Sequence, residues 1–355
     1  MPILINKTST LKGVIDLTPV KRSFFVDKYF PESAQNMSTA DYVMFDIVKD
    51  KQRVAPLVSK GKSAAELGRD KYRTMEIVPP AIGAKRTLTP DTVSQRIAGE
   101  QLVEGGMTPE ERAKIFLMKD IKDIKDAIVQ RLRIMVRQVL LEGRVTAVPG
   151  FDKEDYLDVD YGQNPTHNIT LLGVNRWNQA TSKPTDDLAD ARLAVKRDSG
   201  KTSEVAFLGN AAWKALKSNP DFNDTFNYFG NANFGNLTPR IEPGQDLTYL
   251  GRLNEAGLDL YLCNEMVPDP VTGVDVPFIP DDLVVIMPAE ISECFSMEYG
   301  AITQLNNQGQ LITYQGAQVP KMFVEEESDS TAIQIKSRAL PVLKNPDSVF
   351  IMKVI

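Results

Sequence analysis

Apolar residues recur at steps of three or four from Leu117 through Ile121, Ile124, Ile128, Leu132 and Met135 to Val139. This spacing predicts one long amphipathic helix. Its ends are marked locally. Thr108-Pro109-Glu110-Glu111 combines an N-cap Thr, a Pro at the first helical position and a Glu at the third, which is a capping box. Gly143 is a natural stop. A helix over 109–142 spans roughly 50 Å. Ile128 and Met135 lie in the middle of its apolar stripe and are expected fold anchors. The pairs Lys119-Asp120, Lys122-Asp123 and Lys125-Asp126 read as its solvated face, and Arg131 breaks any heptad seam that would favour a coiled coil.

Strand patterns flank this helix. Tyr42 to Val48 is rich in β-formers, and Tyr72 to Val78 alternates apolar with polar residues. Between them, Lys60-Gly61-Lys62-Ser63 and Gly68-Arg69-Asp70-Lys71 are turn-rich and charged. The pair predicts a long β-hairpin closed by Pro79-Pro80. Such a ribbon cannot bury both faces against its own chain, so it is expected to lie on a partner. Residues 1 to about 40 show no clean period and read as an arm laid over a neighbour, outside a compact core.

A second helix is expected from Asp186 to Arg197, with Leu188, Ala191 and Val195 inward and Gly200 as its stop. A buried strand Val205 to Leu208, a turn at Gly209-Asn210 and a helix from Ala211 to Lys217 follow. Further strands are expected at Leu258 to Cys263, Leu283 to Met287, Ala332 to Ala339 and Val349 to Val354. Phe222 to Gly251 and Pro268 to Pro280 read as loop-rich. Strands scattered before and after the long helix, without βαβα alternation, give an α+β class.

Composition adds exclusions. A length of 355 residues implies about two or three domains. A net charge of -6 argues against wrapping nucleic acid by charge neutralisation, which needs clustered Lys and Arg. Cys263 and Cys294 are the two cysteines and form no zinc or haem spacing, so a reducing cytosol is the expected compartment. Met1 to Lys7 lacks the pattern of a signal peptide, and no apolar run approaches the ~20 residues of a membrane helix.

No catalytic constellation survives inspection. Gly61-Lys62-Ser63 resembles the end of a phosphate loop, but Pro56 stands where the motif needs Gly. Asp158, Asp160 and Gly162 hint at a calcium loop without its 12-residue pattern. His167 is the sole histidine, which removes two-His zinc sites, and it is expected to be a surface or packing residue. A carboxylate hydrolase would draw on Asp152, Glu154, Asp155, Asp158 and Asp160, whose ordinary reading is a solvated loop. Trp177 and Trp213 have no basic groove beside them and are expected core anchors rather than base-stacking platforms. No catalytic residue, cofactor or metal site is expected.

One collinear set of short motifs runs along most of the chain. It starts with Phe30-Pro31-Glu32-Ser33 and Val54-Ala55-Pro56-Leu57-Val58. Phe151-Asp152, Val159-Asp160-Tyr161-Gly162, His167-Asn168-Ile169-Thr170 and Arg176-Trp177-Asn178 follow. Lys183-Pro184-Thr185-Asp186-Asp187-Leu188, Gly209-Asn210-Ala211-Ala212-Trp213, Pro277-Phe278-Ile279-Pro280-Asp281-Asp282 and Leu343 to Phe350 complete it. In this order the set resembles the major capsid protein family of the tailed phage lambda. The segments 222–250 and 300–325 match that pattern poorly.

The resemblance implies the Hong Kong 97 type capsid fold. Its parts would be an N-terminal arm (1–40), an extended β-hairpin loop (41–95) and a peripheral domain with the spine helix (96–165). An axial domain (166–325) and C-terminal strands returning to the peripheral domain (326–355) would complete it. It implies a non-enzymatic shell subunit of a tailed double-stranded DNA phage, forming hexamers and pentamers of an icosahedral head. Scaffolding protein, portal, a decoration protein and packaged DNA bound without sequence specificity would be its partners. The virion capsid, and the host cytoplasm during assembly, would be its location. A mildly acidic inner wall would not hold a phosphate backbone that must enter and leave. An encapsulin-like compartment shell shares the fold and is the alternative. Lys60, Lys62, Arg69 and Lys71, a basic tip on an acidic chain, are the expected intersubunit contacts.

Overall fold

The computed structural model describes residues 23–48, 54–55, 57–59, 63, 72–94, 108–146, 158–223, 235–236, 240–241, 246–288, 293–306, 309–325 and 330–355. Its longest element is the spine helix, Pro109–Glu142, a 34-residue α-helix with the bounds that the sequence predicts. The Thr108 hydroxyl accepts from the Glu111 N–H at 3.3 Å, and the Glu111 carboxylate accepts from the Thr108 N–H at 2.8 Å. Those bonds satisfy amides that the first turn leaves without partners. Gly143 closes the helix with φ of 63°, a left-handed conformation that glycine adopts without strain.

Ile121, Ile124, Ile128, Leu132, Met135 and Val139 are buried along one stripe, and Leu117 packs at its edge. Lys125 and Arg133 are buried on the same helix. The reading of Lys125 as part of a solvated face is therefore corrected. Position 125 follows 121 by four and precedes 128 by three, so it lies on the apolar stripe.

This stripe covers an antiparallel three-stranded sheet in the order Val319–Glu325, Ser330–Ser337, Ile82–Leu88. Ile333 and Ile335 of the middle strand share the helix's core, and Arg86 pairs with Asp123 at 3.3 Å. Beside it, Phe295–Tyr299 pairs with Ala339–Leu343. Residues 82–88, expected within the extended loop, thus belong to the body. So do residues 295–299 and 319–325, expected in the axial domain.

A larger mixed sheet runs in the order Asn168–Thr170, Phe350–Lys353, Leu283–Pro288, Ser203–Leu208, Leu258–Cys263, Leu247–Leu253, Gly235–Asn236, with Arg240–Ile241 also on Leu247–Leu253. The last strand, Phe350–Lys353, lies antiparallel to Leu283–Pro288 and parallel to Asn168–Thr170. This strand falls within residues 326–355, expected to return to the peripheral domain, and its Ile351 joins the spine-helix core. Val349 to Met352 and Val354 are apolar and buried on both faces, with Lys353 exposed at the strand's end, which suits an inner strand. Leu247–Leu253 also corrects the loop reading of 222–251. A register shift between Tyr249 and Gly251 interrupts its alternation.

The large sheet has a core on each face. Phe207, Val285, Met287 and Ile351 join the spine-helix core, whereas Ala206, Leu208, Val284, Ile286, Phe350 and Met352 face a second core. Helices Pro184–Ser199 and Asn210–Ser218 cover that second face, through Leu188, Ala191, Val195, Ala212 and Leu216. Gly209, before the second of these helices, sits so close to Pro280 and Asp281 that a Cβ would collide with their backbone.

Within the expected arm, residues 24–30 pack on the chain's own core. Phe24–Tyr29 is a short helix whose Phe25 and Tyr29, with Phe30 after it, are buried in the spine-helix core. Phe25 stacks on Phe278 at 4.3 Å and meets Phe207 edge-on at 5.0 Å. Three adjacent aromatic rings bury more apolar area here than an outlying arm could. Residues 1–22 lie outside the described residues.

Candidate assembly surface

The ribbon is built by Val43–Val48 and Tyr72–Ile77, antiparallel with Asp46 opposite Thr74. Period-2 alternation decides which face is which. Val43, Phe45 and Ile47 turn into the spine-helix core, and Met44, Asp46 and Val48 turn out. The Thr74 hydroxyl donates to the Asp46 carboxylate at 2.6 Å, and the Val48 N–H donates to the Lys344 carbonyl at 3.0 Å. The Val48 end of the ribbon is thus tied to the chain at Lys344.

On the ribbon's outer side, and at the described residues that follow its first strand, apolar side chains are uncovered. Met44 is 59% exposed, Tyr72 68%, Val54 93%, and Leu57 is fully exposed. Uncovered apolar residues on and next to one ribbon make it the candidate contact surface. The basic tip residues Lys60, Lys62, Arg69 and Lys71 lie outside the described residues.

At the ribbon's root is a groove of about 490 Å³ lined by Met44, Asp46, Glu293, Glu298, Lys344 and Asn345, with Lys201 at its side. Lys201 pairs with Glu293, and Lys344 lies 3.6 Å from Glu298. These residues come from four distant stretches of chain, and no local motif announces them.

The expected anchors take several positions. Ile128 and Met135 are buried in the spine-helix core. Trp177 is buried in the second core, its indole N–H donating to Asp187 at 2.9 Å, and burial raises the Asp187 carboxyl above the ordinary carboxylate range. Trp213 is half-buried against Phe222, ring edge to face at 6.4 Å. The sequence reading missed Arg133, which is buried with Glu265 of a distant strand end. Arginine inside an otherwise apolar stripe was the available signal.

Asp152, Glu154 and Asp155 lie outside the described residues. Asp158 pairs with Arg144 at 2.9 Å, and Asp160 accepts from the Gly162 N–H at 2.8 Å. Both carboxylates thus hold a local turn and strand pair. His167 is fully buried, so its expected surface alternative is corrected in favour of packing. It touches the Phe350 ring and lies 2.9 Å from Asp198. Burial pushes the Cys263 thiol up to about 12, which leaves it protonated and unreactive. Among the described residues no group of three or more His, Cys, Asp or Glu could hold a metal ion, and no helix is long and apolar enough to cross a membrane.

Comparison with known proteins agrees with this architecture. A protein of Escherichia coli CFT073, described as a prophage capsid protein, superposes with a TM-score of 0.68 at 18% identity, covering 98% of this chain and 99% of its own. A structure from Gordonia phage Cozz gives 0.47 at 10% identity, with 94% and 87% covered. The SrpI encapsulin of Synechococcus elongatus PCC 7942 gives 0.39 at 9%, with 81% and 78% covered. None of the curated proteins compared matches the chain. The first of these structures supplies the fold, an α+β arrangement of the Hong Kong 97 capsid type. Residues 7–354 match the family described as phage major capsid protein E, and the chain belongs to that family.

Proposed function

We propose that the chain is the head-shell subunit of a tailed double-stranded DNA bacteriophage, assembling with itself into hexamers and pentamers of an icosahedral capsid. The role is structural, with no reaction catalysed. The observation that carries this reading is the ribbon, whose inner face is anchored in the chain's own core and whose outer residues are left uncovered. A head-to-tail contact closes into a ring when its rotation divides a full turn, and identical patches then suffice for every copy. Each contact can be as weak as about 8 kcal/mol, a micromolar interaction, because many act together.

In this reading the ribbon, with the basic tip Lys60, Lys62, Arg69 and Lys71, reaches over the neighbouring copy. The spine helix and its three-stranded sheet form the peripheral part, and the large sheet with its second core forms the axial part around the ring centre. Scaffolding protein, portal and decoration protein would be further partners in the host cytoplasm. Packaged DNA would be enclosed without sequence-specific binding.

The test is the purified protein imaged by negative-stain electron microscopy alongside light scattering, where closed shells or six- and five-fold rings are expected. Reversing the tip charges with Lys62→Glu and Arg69→Glu is expected to lower shell yield at least tenfold. An unchanged yield would remove the tip from the interface.

A further inference from the structure

We infer that the three-stranded sheet is a self-complementary contact. Its face away from the spine helix carries Lys321 and Lys336, which receive the acidic connection 325–329 of a second copy across a twofold axis. The contact is separate from the ribbon. It rests on the shell reading for its role, though not for the pairing itself.

Alternation fixes the face. Ala84, Met322, Ile333 and Ile335 join the spine-helix core, so Lys85, Lys321, Gln334 and Lys336 turn the other way. The register sets Lys321, Gln334 and Lys85 in one row across the three strands, with Lys336 opposite Gly83 two positions along. The Lys336 stem lies over Gly83, where a Cβ would sit 3.1 Å from its Cγ. Lys85 and Lys321 place their ammonium groups 5.7 and 5.4 Å from the centre of the Phe323 ring. Lys85 is also paired with Glu325 at 2.7 Å. Lys321 and Lys336 are only half-buried, and neither forms an ion pair among the described residues.

The matching charge lies on the same two strands. Glu325, Glu326, Glu327 and Asp329 precede Ser330, and Glu325 stands opposite Ser330, so this acid is at the strand ends. Lys321 is four positions from that end and Lys336 six, about 13 and 20 Å along an extended strand. Both distances exceed the Debye length, about 8 Å at physiological ionic strength. A four-residue connection with both ends fixed reaches less than about 8 Å from them, so it cannot fold back over these lysines. Within one copy the two signs therefore stay apart. A twofold axis midway between them sets the acid of each copy against Lys321 and Lys336 of the other, and both matches form at once. A partner of one sign would satisfy only half of this surface, which selects a second copy.

Thiol cross-linking tests both partner and symmetry. Lys336→Cys and Glu327→Cys are placed in one full-length chain and treated with a short flexible bismaleimide under assembly conditions. Cys263 and Cys294 are buried and do not compete. Within one copy the two new thiols are roughly 20 Å apart, so linkage requires a second copy. A covalent dimer with no larger product is expected on a denaturing gel, because a twofold contact closes on itself. Each single substitution is expected to give at least tenfold less dimer. A ladder of higher multiples would show a head-to-tail contact, and no product would show that the surfaces do not meet. Either result overturns the pairing. In the same assay, adding Lys321→Glu is expected to lower dimer yield at least fivefold, and further adding Glu326→Lys to restore at least half of it. No recovery would also overturn the pairing. Closed shells without trapped dimer would remove this contact and leave the shell reading, whereas dimer without shells would do the reverse.

Discussion

Arg133 and Glu265 are both almost fully buried, and their geometry shows how two charges are held inside this core. Arg133 Nε and Nη2 donate to one Glu265 oxygen at 3.0 and 2.7 Å, while Nη2 also donates to the Met266 carbonyl and Nη1 to Gln130, each at 2.7 Å. Removing two ions from water is expensive, and their attraction repays it only when every donor is satisfied. The pair fastens the middle of the spine helix to the hairpin formed by Met266–Pro268 and Asp275–Pro277, beside which Arg137 donates to the Phe278 carbonyl at 2.9 Å. Arg133→Met strands the Glu265 carboxylate in the core. It is expected to cost about 3–5 kcal/mol in urea unfolding. The double change Arg133→Met with Glu265→Leu is expected to recover most of that loss. A single variant that loses less than about 1 kcal/mol would mean that water reaches Glu265 when the arginine is gone.

At the scale of elements, the spine helix is the piece on which both the three-stranded sheet and the N-terminal aromatic helix pack. A proline at Met135 would remove one backbone hydrogen bond and push its ring against the carbonyl of Arg131, in the middle of the buried stripe. Met135→Pro is expected to give no folded protein, measured as loss of the helical circular dichroism signal and of the soluble fraction. A soluble, cooperatively melting monomer would contradict the spine's central place.

The same helix shows why some of the molecule was legible in sequence and some was not. Its bounds depend on Thr108, Pro109, Glu111 and Gly143, which act on their own backbone and so leave a local signature. The ribbon strands announce themselves by β-forming residues in the first and by alternation in the second. The neighbours of Phe350–Lys353 are more than 60 and more than 170 residues away, and an inner apolar strand carries no mark of which strands flank it. Leu247–Leu253 was hidden by its own irregularity at Gly251, and the groove by its assembly from Asp46, Lys201, Glu293 and Lys344. Phe24 to Phe30 misled for a related reason. Aromatic residues in a polar stretch suit an anchor on any surface, and only the folded chain shows that the surface is its own.

At the scale of the whole molecule, the large sheet joins two cores rather than separating two domains. Along Leu258–Cys263, Leu258 and Leu260 face the second core while Tyr261 and Cys263 face the first, so neither core can be lost without stripping one face of the same strands. A shell subunit gains from this, because load applied at the ribbon passes into the sheet through side chains close-packed on both faces. The arrangement makes a specific thermodynamic prediction. Both tryptophans of the chain, Trp177 and Trp213, pack in or against the second core, whereas the 34-residue spine helix lies in the first. Tryptophan fluorescence therefore follows one core and far-ultraviolet circular dichroism is dominated by an element of the other. If the shared sheet couples them, thermal or urea unfolding of the unassembled subunit gives coincident transitions by the two probes. Val284→Ala, on the second face, would lower both midpoints together, by a cavity loss of about 2–4 kcal/mol. Two separated transitions, with fluorescence moving alone in the variant, would show that the second core melts by itself and that the sheet transmits no stability between its faces.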